Sequence, residues 1–223
     1  MLYRLLRWLL RNAMRVFFKQ IEVVGLEHVP TDGPVLFAGN HPIALIDPIL
    51  IITTCGRLVH FAAKDTLFKS RALRVLLRGL GAVPLARRED RGGGQPIDND
   101  AAFTAMFDVL GAGGTIGIFP EGLSHDESQL ARLKTGAARL AIGAAARGTP
   151  VKIVPCGLTF IHPKRFRSRV LVQYGEPIEV SATADVKQLT AEIERDLRAL
   201  TINATDWETV RELDAVRRLY HPI

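Results

Sequence analysis

Short apolar runs alternate with helix-length amphipathic stretches along most of this chain, and that alternation admits few architectures. Ile21 to Gly25, Val35 to Ala38, Leu58 to Ala63, Thr115 to Phe119, Lys152 to Phe160 and Val170 to Tyr174 read as strands bounded by glycine, proline and polar residues. Between and after them, helical periodicity runs from Pro48, from Ser70 to Arg78, Ala101 to Leu110, Thr135 to Arg147, Ala184 to Leu200 and Trp207 to Tyr220. The pattern predicts an α/β fold with a mixed, largely parallel central sheet flanked by helices. An amphipathic helix over 1–20 precedes the core over 21–180, and a helical extension follows over 181–223.

The chain has 223 residues, the size of one α/β unit with a modest extension. At 48% hydrophobic and 23% charged it falls outside the disordered and disulfide-scaffold classes. Cys55 and Cys156 belong to no CxxC or Cys/His pattern with metal spacing, and no metal is expected. No apolar stretch approaches the ~18 residues of a membrane span. Lys and Arg outnumber Asp and Glu by 29 to 23, which calls for an anionic partner. Aromatics are 7% with no nucleic-acid module, so phosphate-bearing small molecules and anionic lipid surfaces are expected and nucleic acid is not.

Much of the positive charge is patterned. Arg4, Arg7, Arg11, Arg15 and Lys19 recur at intervals of three or four, and at about 100° per residue they share an arc of roughly 120°. Leu2, Leu5, Leu6, Leu9, Leu10, Ala13, Val16 and Phe17 fill the other side. Such a helix can lie in a lipid interface, or pack on its own domain with a solvated basic face. Trp8, near the basic stripe, favours the interface, and both can hold in part. The expected location is the membrane periphery, on the cytoplasmic face.

Three strand ends carry polar, constrained residues, and in an α/β sheet the carboxyl ends of strands face the ligand crevice. In Gly39-Asn40-His41-Pro42-Ile43-Ala44-Leu45-Ile46-Asp47-Pro48, a histidine leaves a strand and an aspartate follows six positions later. The prolines push His41 and Asp47 away from helical geometry, so Asp47 reads as a helix N-cap with Pro48 at the first helical position. A carboxylate bonded to one ring nitrogen fixes the tautomer and leaves the other free to take a proton. A strand cap and a helix cap would also explain the pair. The second end, Gly81 to Arg87, finishes in Arg87-Arg88, planar forks suited to phosphate, and opens a glycine-rich surface loop over Arg87 to Gly94. The third is Phe119-Pro120-Glu121-Gly122, a constrained exit with a carboxylate and a glycine.

Taken in order, these blocks resemble the glycerolipid acyltransferases, the group that includes 1-acylglycerol-3-phosphate acyltransferases. Asn40-His41-Pro42 through Asp47-Pro48 looks like the first block, Gly81 through Arg87 the second, Phe119 through Gly122 the third and Ile153-Val154-Pro155 the fourth. Two departures stand out. Five residues separate His41 from Asp47 where the family pattern has four, and Leu123-Ser124 stands in place of the common Thr-Arg pair. The resemblance implies that His41 is a general base for an acceptor hydroxyl and that Asp47 orients it. Arg87, with Lys64 and Arg88, would hold the acceptor phosphate, Glu121 would bind an acceptor hydroxyl or order the arginine, and Gly122 would let the ligand approach. Acyl-CoA or acyl carrier protein would be co-substrate, with no further cofactor.

The expected reaction is transfer of a fatty acyl group to 1-acylglycerol 3-phosphate, a step of phospholipid biosynthesis that yields phosphatidate. Glycerol 3-phosphate or another lysophospholipid is the alternative acceptor, and a catalytically silent lipid-binding module is the alternative of another class. GxSxG, GxxxxGK[ST] and GxGxxG are absent. Cys156 reads as a packed thiol, and His125 as a residue that could line the crevice.

Overall fold

The computed structural model describes residues 1–86, 99–160, 162 and 165–220, with the side chains of all but 217–220. Among these residues the strands are β1 (Gln20–Val24), β2 (Val35–Gly39), β3 (Val59–Lys64), β4 (Val83–Leu85), β5 (Thr115–Ile118), β6 (Lys152–Phe160), β7 (Arg169–Tyr174) and β8 (Ile178–Glu179). The helices are α1 (Leu2–Phe17), α2 (Ile46–Thr54), α3 (Arg71–Gly79), α4 (Asp100–Gly111), α5 (Gly136–Ala145), α6 (Val186–Leu200) and α7 (Trp207–Tyr220).

The sheet order is β1-β7-β6-β2-β5-β3-β4, with β8 beside the start of β6. Strands β2 to β6 all point one way, while β7 and β8 run antiparallel to β6 and β1 runs parallel to β7. This is the mixed, largely parallel sheet the alternation predicts. The short β8 escaped the sequence reading because Gly175 to Pro177 interrupts what is otherwise one long strand along β6.

β2 is buried along its whole length, and its alternation feeds two cores. Leu36 and Ala38 pack with residues of α4, α5 and α6 on one face, Val35 and Phe37 with residues of α1 and α2 on the other. Helix α6 belongs to the first core, since Leu189, Ile193 and Leu197 are buried in it. It is therefore part of the layered domain and not an appendage to it.

α1 ends at Phe17, short of the predicted Gln20. Phe18 turns inward and is 1% exposed, against Phe17 and Phe160, so Lys19 leaves the helical stripe. The apolar half of α1 divides in two. Tyr3, Leu6, Leu10, Met14 and Phe17 pack on the domain, where the Tyr3 hydroxyl accepts the Val59 N–H at 2.8 Å. Leu2, Leu5, Leu9 and Val16 form a second stripe that stays exposed, and Trp8, 62% exposed, stands between it and the arginines. Among the described residues no helix is long and apolar enough to cross a membrane.

Candidate active site

His41 and Asp47 meet at the carboxyl edge of β2. The chain leaves the sheet through Asn40, whose amide completes the ladder: its Oδ1 accepts the Leu158 N–H at 2.7 Å and its Nδ2 donates to the Leu158 carbonyl at 2.9 Å. This bidentate contact fixes where His41 starts. His41 Nδ1 lies 2.9 Å from Asp47 Oδ2, which also accepts the Ile43 N–H at 2.7 Å.

Asp47 is not the N-cap of α2. Leu45 holds that place and Asp47 lies inside the first turn, followed by Pro48. A proline is tolerated there because first-turn N–H groups have no intrahelical acceptor to lose. The Asp47 side chain thus points back into the bend instead of capping the helix. It is fully buried, and Oδ1 has no hydrogen-bond partner among the described residues. Burial pushes its carboxyl above the ordinary range, opposed chiefly by the bond with His41.

The imidazole is held on its face as well as its edge. It stacks on Phe119 with ring centroids 4.0 Å apart and planes within 3°, and Phe119 stacks in turn on Phe61 at 5.3 Å. Gly117 makes this column possible, because a Cβ there would come within 2.3 Å of the Phe61 ring. With Nδ1 engaged and the ring clamped, Nε2 is left for a substrate.

Glu121, 2% exposed, has both oxygens engaged by the chain itself. Oε1 accepts the His41 N–H at 2.8 Å, and Oε2 accepts the Ala131 N–H at 2.8 Å and pairs with His125 Nε2. The geometry makes Glu121 a strut behind His41, in place of the contact with an acceptor hydroxyl or arginine that the sequence suggests. His125 serves the same strut, and its N–H donates to the His41 carbonyl at 3.1 Å. Gly122 has φ +75°, and what crosses it is the Lys134 side chain: a Cβ would lie 2.7 Å from Nζ. The close approach expected of a ligand is thus made by this chain's own lysine.

Beside His41 opens an apolar groove of about 230 Å³ between α2, β3 and α3. Ala44, Leu45, Lys64 and Ser124 line it with His41, and Ile52, Phe61, Leu77 and Leu80 line it further along. Because α2 starts at the carboxyl edge and runs back over the sheet, Ile52 lies two turns, about 10 Å, beyond Leu45. Lys64, the last residue of β3, pairs in register with Leu85, the last of β4. Arg87, Arg88 and the predicted loop from Arg87 to Gly94 lie outside the described residues. Cys156 is buried in β6, and burial holds its thiol well above the ordinary range, as befits a packed and unreactive group.

Three contributors were invisible or underweighted in the sequence. The Asn40 ladder mimic, the Phe119 and Phe61 column and the Glu121 to His125 pair each depend on partners 4 to 118 residues away. Asn40, Phe119 and Glu121, standing inside the blocks, carried a signal, as did His125 just beyond the third; Phe61 carried none.

Comparison with known proteins places this geometry. The family model described as Acyltransferase matches residues 20–159. Glycerol-3-phosphate O-acyltransferase 2 of Saccharomyces cerevisiae is 41% identical over 58% of this chain and 19% of its own length. Glycerol-3-phosphate O-acyltransferase 1 of that yeast is 27% identical over 98% of this chain and 42% of its own. The chain therefore spans less than half the length of these two relatives. The 1-acyl-sn-glycerol-3-phosphate acyltransferase of Borreliella burgdorferi is 28% identical over 89% of this chain and 73% of its own length. Among solved structures, the 1-acyl-sn-glycerophosphate acyltransferase PlsC of Thermotoga maritima shares the fold, with TM-score 0.69 and 22% identity over 96% of this chain and 80% of that one. With the family model covering well over half of it, the chain belongs to the Acyltransferase family.

Proposed function

We propose that this chain transfers a fatty acyl group from acyl-CoA or acyl carrier protein to a hydroxyl of a glycerol phosphate acceptor. The observation that carries this is the His41 to Asp47 contact at the mouth of an apolar groove. His41 Nε2 takes the hydroxyl proton as the oxygen attacks the thioester carbonyl. The tetrahedral intermediate collapses, the carbon–sulfur bond breaks, and the imidazolium returns its proton to the thiolate. Asp47 and the face of Phe119 meet the positive charge that develops on the ring. The acyl chain occupies the groove toward Ile52 and Leu80. Lys64 sits where an acceptor phosphate would rest beside His41, and Arg87 and Arg88, following β4 in sequence, are proposed to complete that cation set.

Glycerol 3-phosphate is the acceptor we favour. The relative 41% identical is named for it, and the groove beside His41 is assigned to the donor's acyl chain. The second reading, 1-acylglycerol 3-phosphate, draws on the Borreliella relative, of which this chain covers 73%. An acceptor screen separates them. Purified protein should release CoA from palmitoyl-CoA only when an acceptor is present, and His41→Ala should abolish the release. Thioester hydrolysis without acceptor that survives His41→Ala would overturn the assignment, and lipid binding without turnover would favour a silent lipid-binding module. We further propose that the exposed stripe of α1 seats the protein peripherally on a lipid surface, at the cytoplasmic face where soluble acyl thioesters are available.

A further inference from the structure

A second cavity, of about 300 Å³, lies away from His41 between α1 and β1. One wall is cationic, with Arg11, Arg15 and Lys19, and the other is apolar, with Phe18, Ile21 and Val23. Arg11 and Arg15 are one helical turn apart, and none of the three cationic side chains has a hydrogen-bond or ion-pair partner among the described residues. Like charges at that spacing repel, and a bound anion between them relieves the repulsion.

No acid of the neighbouring chain fills that role. Glu22 is the first acidic residue in the sequence, and the alternation of β1 sets Ile21 and Val23 half-buried while Glu22 stays exposed on the opposite face. The hydroxyls on the third side are spent, since Thr53 donates to the Ile49 carbonyl and Thr54 donates to Leu50 and contacts the Tyr174 hydroxyl. What remains is an amphipathic slot with guanidinium forks on one side, suited to phosphate oxygens, and hydrocarbon on the other.

We propose that this slot binds the phosphate headgroup of a single anionic phospholipid, its glycerol and first methylenes resting on Ile21 and Val23. The proposal rests on the reading that the chain works at a lipid surface. The apolar wall and the adjacent stripe of Leu5, Leu9 and Trp8 favour a lipid over free phosphate as the ligand.

Sedimentation with phosphatidylcholine vesicles doped with phosphatidylglycerol tests it. Arg4 lies on the same exposed basic stripe but outside the slot. Arg4→Gln should weaken partitioning about fivefold, the effect of one generic interfacial cation. Arg11→Gln should weaken it about thirtyfold, through lost charge-assisted hydrogen bonds as well. Soluble dihexanoyl phosphatidylglycerol should compete for the site and inorganic phosphate should not. Equal losses in the two variants would overturn the slot and leave the lipid-surface reading standing. Failure of the wild type to bind any vesicle would overturn both, and equal competition by inorganic phosphate would overturn the lipid nature of the ligand.

Discussion

Replacing Glu121 by glutamine separates two roles that predict opposite kinetics. The carboxylate accepts three contacts, from the His41 N–H at Oε1 and from the Ala131 N–H and His125 at Oε2. An amide offers one acceptor and one donor, so one side must turn donor against donor. Turning the amide nitrogen toward Oε1 strands the His41 N–H. Turning it toward Oε2 strands the Ala131 N–H and also forces the His125 proton onto Nδ1, which already accepts the Glu127 N–H, so the first orientation is the cheaper one. A buried donor left unsatisfied costs about 1–3 kcal/mol, and the lost charge-assisted bonds add about 1 kcal/mol. The variant should therefore be destabilised by about 2–4 kcal/mol, a drop in Tm of roughly 5–15 °C for a chain of this size.

The cheaper orientation gives up the His41 backbone contact but leaves the ring held by Asp47 and Phe119, so kcat should fall by less than about tenfold and the acceptor KM should stay within about twofold of wild type. Thermal melting and initial rates with palmitoyl-CoA and varied glycerol 3-phosphate read out both quantities. A variant with unchanged Tm and an acceptor KM raised more than about tenfold would refute the strut and restore Glu121 as a substrate-binding residue.

Two further outcomes follow from the same geometry. Asp47→Asn should lower kcat by roughly 10²–10⁴, because the tautomer and the imidazolium lose their partner. Burial holds the folded carboxyl above its unfolded pKa, so the stability this group contributes is full below that value and is lost as pH rises through the folded one. Denaturant titrations from pH 4 to 7 should thus show the variant gaining on wild type as pH rises, and a variant that loses ground to wild type over that range would contradict the cause assigned. Ile52→Phe should shorten the groove where α2 closes it, and each methylene excluded forfeits about 0.8 kcal/mol, about fourfold in kcat/KM. Rates across an acyl-CoA series should fall for long chains and hold for short ones, and a uniform loss across the series would disprove the placement.

How much of this the sequence could disclose depends on the range of the forces involved. Strand and helix positions follow from local alternation, and the Asn40-His41-Pro42 exit from an apolar run showed both where β2 ends and that a polar group stands there. The His41 to Asp47 contact was reachable because its partners are six residues apart and flanked by prolines. Beyond that distance periodicity is silent. It gives α1 one apolar arc but not the division of that arc, which depends on where α2 and α3 stand. It extends the helix to Gln20 because nothing local says that Phe18 belongs to a core built with Phe160. The resemblance assigns Glu121 to a ligand because nothing local shows that the Ala131 N–H that claims Oε2 arrives from a loop ten residues on.

The two departures from the family pattern, which look independent along the chain, meet in space. Within the five residues between His41 and Asp47, Ala44 has a φ of +31°, which takes the backbone into the left-handed side at a cost of roughly 1–2 kcal/mol for a residue with a Cβ. The bend turns the Ala44 N–H outward, and Ser124 Oγ accepts it at 2.8 Å, a bond that the arginine of the common third block, a donor without an acceptor atom, could not make. In this chain the longer first block and the altered third block are therefore bonded to each other. Since Ala44 and Ser124 both line the groove beside His41, their bond also replaces a cation at the mouth with a compact neutral latch. On the function proposed above, an acceptor phosphate would find its charge at Lys64, where β3 ends, and Ser124→Arg would remove the acceptor of the Ala44 N–H.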